Sequence, residues 1–457
     1  MMDIEHSVNE GLTRRLAASI ARLATSELPR AALDTVRRGL VDYIGVLLAG
    51  SHEPPARILL KALGPSRSAE ARILPSGLRL AAQDAALVNG VAGHVLDYDD
   101  VAIGGHPSAV LLPALLAEAE VLDATAADLF RGYVAGYETW ATLWKASPVS
   151  LHSRGWHPSG VFGPIATAAA CASLRRLDAK ASGHAIALAA VQSGGLIANF
   201  GTSAKSFQVG RAAAAGIFAT RLAEAGFDAS TTVLEHESGF LTAYAGGSQP
   251  VAGGFGEPDW FILSEGLDIK MYPMCYGSHR LIDSALTLRQ KRRLVPGEIA
   301  AVEVKLGQLQ STMLHSHRPT TSLEAKFSAE FASAAALLAG PIGLQQLEQT
   351  FVLRPEVQSL MAKTTRHIRT EIGVAPFSPF DQVRVTLTDG TVIDGEPVND
   401  ATGSRHKPPS QAEAMTKFVD TAGLVLNRER SERLFGKLWN ISPETKIASV
   451  LDDAISG

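Results

Sequence analysis

The chain has 457 residues, 46% apolar and 19% charged, with a net charge of −4. That balance suits a soluble globular protein of two or three domains, and it leaves no basic surplus for nucleic acid. Two cysteines, Cys171 and Cys275, exclude a disulfide framework or a cysteine-based zinc site.

The opening segment Met1-Met2-Asp3-Ile4-Glu5-His6 is polar and acidic. It lacks the basic start and apolar stretch of a signal peptide, and no apolar run reaches the ~20 residues that span a bilayer. A cytoplasmic protein with no membrane partner is expected. Leu12, Leu16, Ile20 and Leu23 then share one helical face, as do Val36, Leu40, Val41, Ile44, Leu47 and Leu48, with Gly50 as the expected stop. Alanine-rich helices follow at Ile165 to Leu174 and Ala212 to Ala225. After about residue 267 the pattern changes. Val302, Val304 and Leu306 alternate with charged residues, and Val383, Val385 and Leu387 lead through Asp389-Gly390 into a β-hairpin. Ser328 to Ala339 reads as a helix between them, and helical periodicity returns from Gln411 to Ile455. The prediction is a mainly α protein with an α+β insertion: helical domain 1–267, smaller α+β domain 268–402, and return to the helical domain over 403–457.

Three segments share one pattern. Gly105-His106-Pro107-Ser108, Trp156-His157-Pro158-Ser159 and Gly201-Thr202-Ser203-Ala204-Lys205 each place Pro or Ser where a helix begins, with a titratable group beside the first turn. Open N–H groups at helix starts attract anions. Converging, the three would form a pocket for a small carboxylate, with His106 and His157 as acid/base groups and Lys205 and Thr202 as anion contacts. A second cluster runs His94-Val95-Leu96-Asp97-Tyr98-Asp99-Asp100. Buried, its carboxylates need partners. They could orient histidines and lysines, hold a divalent metal with His94 and His106, or form a solvated turn. No metalloprotease or calcium-loop pattern supports metal. A third segment, Lys270-Met271-Tyr272-Pro273-Met274-Cys275, offers Lys270 to a carboxylate and Cys275 as a thiol acid/base. His315-Ser316-His317 reads as a surface loop. Gly194-Gly195 lacks the spacing of a phosphate or dinucleotide loop, so no nucleotide cofactor is indicated.

Together these segments resemble the MmgE/PrpD family: Asn89 to His94 running into Asp97-Tyr98-Asp99-Asp100, Gly105-His106-Pro107-Ser108, Gly155-Trp156-His157-Pro158, Gly201 to Lys205 with Gly210, and Lys270-Met271-Tyr272-Pro273 to His279. The family includes 2-methylcitrate dehydratase, cis-aconitate decarboxylase and iminodisuccinate epimerase. The resemblance implies a large helical domain built from both chain ends and a smaller α+β lid domain. It implies a homodimer that needs no metal or organic cofactor. It also implies that Asp97, His106, His157, Lys205 and Lys270 line a cleft between the domains. The decarboxylase carries histidine where Cys275 stands and tyrosine where Phe331 aligns, and its Asp97-to-His106 loop is one residue longer.

The family's reactions all make or quench a carbanion beside a carboxylate. They need cations on the carboxylates and a group that moves a proton at carbon. His106 and His157 suit the second task, with Asp97 as orienting group, and Lys205 and Lys270 suit the first. Absence of the decarboxylase residues and presence of Cys275 favour epimerase chemistry on a small di- or tricarboxylate. Dehydration of a 2-methylcitrate-like acid comes second. Decarboxylation and silent carboxylate binding follow, and a metal-dependent hydrolase is a further alternative.

Overall fold

A computed structural model of the chain describes residues 11–66, 68–292, 294–371, 373 and 377–456; the N-terminal segment Met1 to His6 lies outside them. Two compact units emerge. One comprises Met1–Leu267 and Ser410–Gly457, the other Asp268–Pro409.

The first unit is helical, apart from a two-residue strand pair at Ala71–Arg72 and Arg79–Leu80. Its longer helices include α1 (Leu12–Leu23), α2 (Arg30–Gly50), α3 (Ala82–His94), α4 (Pro107–Leu122), α5 (Ala126–Ala146), α6 (Gly163–Leu174), α7 (Ala179–Ala190) and α8 (Ser203–Glu224). The α1 stripe Leu16, Ile20 and Leu23 is buried. Helices α4 and α6 are buried almost all round, which explains why they are apolar or alanine-rich on every face. Trp140, Tyr43, Tyr133 and Tyr137 fill the centre. Small residues let the backbones approach. A Cβ on Gly90 would sit 2.8 Å from Gly210 Cα, and one on Gly210 only 2.3 Å from Leu87 O. The α3–α8 crossing is thus a backbone-to-backbone contact.

Gly50 differs from expectation. It is the last residue of α2, followed by Ser51 in right-handed geometry. A Cβ there would meet Ala92 O at 2.0 Å. The glycine therefore serves close packing on α3 and not a left-handed stop. The chain returns to this unit as α11 (Gln411–Ala422) and α12 (Arg428–Trp439), and α11 packs on α2. Helices α9 (His279–Lys291) and α10 (Ala329–Ala339) belong to the second unit.

The second unit carries a four-stranded sheet in the order β2-β1-β3-β4, from β1 (Ile299–Gly307), β2 (Thr364–Arg369), β3 (Gln382–Leu387) and β4 (Val392–Asp394). β1 and β2 are parallel, while β1–β3 and β3–β4 are antiparallel. The alternation holds in burial: Val302, Val304, Val383 and Val385 point into the core with α9 and α10, and Glu303 and Arg384 do not. The unit ends later than the expected 402/403. Gly403 O accepts from Ile269 N (2.8 Å), and Arg405 N donates to Asp268 Oδ1 (2.8 Å), so residues 403–409 are bound to the unit's first residues. Among the described residues, no helix is long and apolar enough to cross a membrane.

Candidate active site

His94 closes α3, and the chain then turns sharply. Asp97 N donates to His94 O (3.0 Å), and Asp97 takes a left-handed φ of 54°. Aspartate tolerates that region better than most residues. The turn swings Asp99 back under α3, where both its oxygens lie 2.9–3.0 Å from His94 Nδ1. Residues 102–105 form a tight hairpin, with Ala102 N on Gly105 O and the reverse. Trp140 Nε1 donates to Ile103 O (3.2 Å) and holds it. His106 then caps α4. Its Nδ1 lies 3.0 Å from Asp99 Oδ2 and 2.9 Å from Asp100 O.

A carbonyl oxygen only accepts, so His106 Nδ1 carries the hydrogen and Nε2 is left with its lone pair. An ionised Asp99 places the His94 hydrogen on Nδ1 in the same way. Burial opposes ionisation of Asp99, but the His94 and His106 imidazoles outweigh it and hold the carboxyl well below its usual range. His94 is pushed down to about 4, chiefly by burial; Asp99 resists that shift, and Lys205 and His106 add to it.

His157 caps the single turn Pro158–Val161. Its backbone N donates to Gly195 O (3.0 Å), so the Gly194-Gly195 pair acts as a backbone rail for this histidine. Its ring stacks 6.4 Å from His94 and meets Phe200 edge-on at 5.0 Å. It is buried, and among the described residues neither ring nitrogen has a hydrogen-bond partner. Burial pushes it well below the ordinary histidine range, and Lys205 lowers it further. On α8, Lys205 Nζ donates to Asp97 Oδ1 (2.6 Å) and lies 5.4 Å from the Phe200 ring centre. His106 N donates to Ser159 Oγ (3.2 Å). The three helix starts therefore converge around two imidazoles and one ammonium.

The convergence differs from the expected anion pocket in one respect. Several N–H groups at the two long helix starts are already spoken for. Pro107 has none, Ser108 N donates to Asp100 Oδ1 (3.2 Å), and Ala204 N donates to Thr202 Oγ1 (3.2 Å). Asp100 is fully buried, and burial raises its pKa well above normal despite the Ser108 bonds. Thr202 is exposed, and its hydroxyl also donates to Asn199 O (2.8 Å). The pocket's positive charge thus comes from Lys205. The acidic segment is no solvated turn, since Asp97, Asp99 and Asp100 are all buried.

Four of the possible ligand atoms, on His94, Asp97, Asp99 and His106, lie within 4.8 Å of one another. The set fits a dication poorly. Asp97 already holds an ammonium, and Asp99 receives two imidazole N–H groups. A metal would have to displace a fixed cation and two protons.

Lys270 and Cys275 belong to the second unit, and both are buried. Cys275 N donates to Lys326 O (3.0 Å), and Cys275 O accepts from Ser278 N (3.0 Å) and Ser278 Oγ (2.8 Å), which fixes the thiol at the start of the turn Tyr276–Ser278. Tyr272 OH donates to Asp283 Oδ1 (2.6 Å). Phe331 is fully buried on α10. His317 is mostly exposed, 3.0 Å from Glu330, as a surface loop residue would be.

Sequence reasoning left the partners of His94, Asp99 and Lys417 open. Lys417 on α11 donates to Tyr98 O (2.9 Å), pairs with Asp42 (2.5 Å) and covers the Tyr98 ring. A residue 319 positions away thereby holds the acidic loop from behind.

The arrangement gathers the imidazoles of His94, His106 and His157, the buried Asp99 carboxylate and the Lys205–Asp97 pair. Comparison with known proteins gives the family. The MmgE/PrpD N-terminal domain matches residues 14–252, and the MmgE/PrpD C-terminal domain matches residues 272–441. The chain belongs to the MmgE/PrpD family. It is 27% identical to human cis-aconitate decarboxylase, over 98% of this chain and 95% of the relative. It is 27% identical to the mouse cis-aconitate decarboxylase, over 93% and 89%. A cis-aconitate decarboxylase-like protein of Aspergillus oryzae is 26% identical over 98% of both chains.

Proposed function

We propose that this chain is a cofactor-independent enzyme that removes and returns a proton at the carbon beside a carboxylate of a small di- or tricarboxylic acid. One observation carries the reading. His106 Nδ1 is bound to a carbonyl and a carboxylate, so in the neutral ring Nε2 carries the lone pair that can accept a proton. Lys205 is the cation for the substrate carboxylate, and His157, neutral and without a partner, is the second proton-transfer group. In this reading Asp97 orients Lys205 and Thr202 adds a contact, while Lys270 and Cys275 are site residues by the family resemblance alone. The thiol would serve as the acid/base of an epimerase. A homodimer acting in the cytoplasm fits the family resemblance.

The departures at Cys275 and Phe331 favour epimerisation, with dehydration second. The names of the relatives support a different outcome, loss of a carboxyl group from cis-aconitate. All three reactions pass through negative charge beside a carboxylate, so the same residues serve each.

Proton NMR in D₂O with citrate-, aconitate-, malate- and aminosuccinate-type acids separates them. Deuterium beside a carboxylate with inverted configuration is the expected result. A new vinyl signal identifies a dehydratase, and decarboxylated product identifies the relatives' reaction. Binding without any change in an acid that fits the site would overturn the proposal and leave a carboxylate-binding protein.

A further inference from the structure

Asp99 does more than bind the His106 Nδ1 of the scheme above. It is wholly buried, and its two oxygens serve two imidazoles at once. The His94 and His106 rings meet edge-on, 4.4 Å apart, with the carboxylate between their Nδ1 atoms. One of these rings, His94, is wholly buried, and its Nε2 has no hydrogen-bond partner among the described residues. The other, His106, is partly exposed. An ordinary orienting carboxylate serves one histidine and stabilises its charged form fully. Here a second, buried imidazole takes part of the same charge.

We propose that Asp99 is the positioning residue of the site and that His94 is its moderator: the carboxylate sets the tautomer of His106, and the competing His94 N–H limits how tightly His106 Nε2 holds a proton. A base that binds its proton too tightly cannot return it to carbon. Sharing one carboxylate between two imidazoles keeps His106 basic enough to take the proton and acidic enough to give it back. His94 touches no substrate in this scheme and acts through Asp99.

The titratable groups around the cluster are named readily. Asp99 and Asp100 come from the loop itself, His94 from the end of α3, His157 from the start of its helical turn, and Lys205, paired with Asp97, from α8. Tyr43 stands behind Asp99, and the Asp42–Lys417 pair stands behind Asp100. Among the described residues only Asp99 is bound to both rings, so replacing it or His94 must move His106 in opposite directions.

The proposal rests on His106 being the base, but its test needs no substrate. Full-length protein labelled at histidine ¹³Cε1 and ¹⁵N is titrated by NMR, with His106→Asn used to assign the signal. In wild type, His106 is expected as the Nδ1–H tautomer. Asp99→Asn should lower its titration midpoint by about one pH unit or more, as loss of an adjacent opposite charge does. His94→Leu should raise it by roughly half a pH unit, and His94→Gln, which keeps a donor to Asp99, should restore it nearly to wild type. If Asp99→Asn does not fold, the two His94 variants decide. Unchanged midpoints, or shifts of the same sign in Asp99→Asn and His94→Leu, would overturn the proposal. The titration reads Asp99 whether or not an acid is turned over, so failure here and failure of the functional reading come from different data.

Discussion

Glu138 and His157 are both buried polar side chains of the helical unit, and the fold treats them in opposite ways. The oxygens of Glu138 accept from Phe255 N (2.7 Å), Phe261 N (3.2 Å) and Ile262 N (2.8 Å), so the carboxylate tethers a loop to α5. His157 sits equally deep with both ring nitrogens unused. Leaving a buried polar group without a partner costs about 1–3 kcal/mol, and architecture rarely tolerates it. In the proposed reading, Glu138 holds the fold and His157 is kept open for a ligand.

Substitutions sharpen that contrast. His157→Asn should reduce turnover of the substrate acid by at least ~100-fold, the usual weight of a proton-transfer group. It should leave the thermal midpoint nearly unchanged, since no hydrogen bond is lost; steady-state kinetics beside a melting curve checks both. Glu138→Ala should do the reverse. Three backbone N–H groups lose their acceptor, and unfolding in urea should show a loss of about 3 kcal/mol, with activity per folded molecule retained. A variant of Glu138 that melts like wild type would break the comparison.

Gly210→Ala lies between the two. The added methyl meets Leu87 O and Val91 at the α3–α8 crossing, so a stability loss of about 1–3 kcal/mol is expected from denaturant unfolding. Because α3 ends at His94 and α8 begins beside Lys205, activity should fall as well.

A further effect is in pH dependence. His94 and His157 are held below their unfolded values by burial. The unfolded chain therefore binds more protons once the pH drops below about 6.5. Stability is full above that pH and declines as the pH falls, continuing to about 4 for His94. The slope approaches ~1.4 kcal/mol per pH unit for each histidine. Urea unfolding at pH 7.5, 6 and 5 measures it, and His94→Leu should flatten it.

Much of this was legible in the chain. The helix and strand periods are local, so α1, α2, β1 and β3 could be read directly. The His-Pro-Ser and Thr-Ser-Ala-Lys starts were legible because helix capping is written in adjacent residues. The triad of His94, Asp99 and His106 was not. The same residues could have bound metal or faced water, and only the left-handed turn at Asp97 decides. That turn buries Asp99 against two rings, which no spacing rule announces. The Lys417 clamp joins positions hundreds of residues apart, so only the folded chain reveals it. Open helix N-termini were inferred from capping residues, yet Asp100 fills one of those ends from within.

The central claim is that His106 moves a proton at a carbon beside a carboxylate. The most direct test follows deuterium from D₂O into the substrate acid with wild type and with His106→Asn, both verified as folded by circular dichroism. The account predicts deuterium at the carbon beside the carboxylate for wild type and none above background for the variant. Equal incorporation by the two proteins would contradict it.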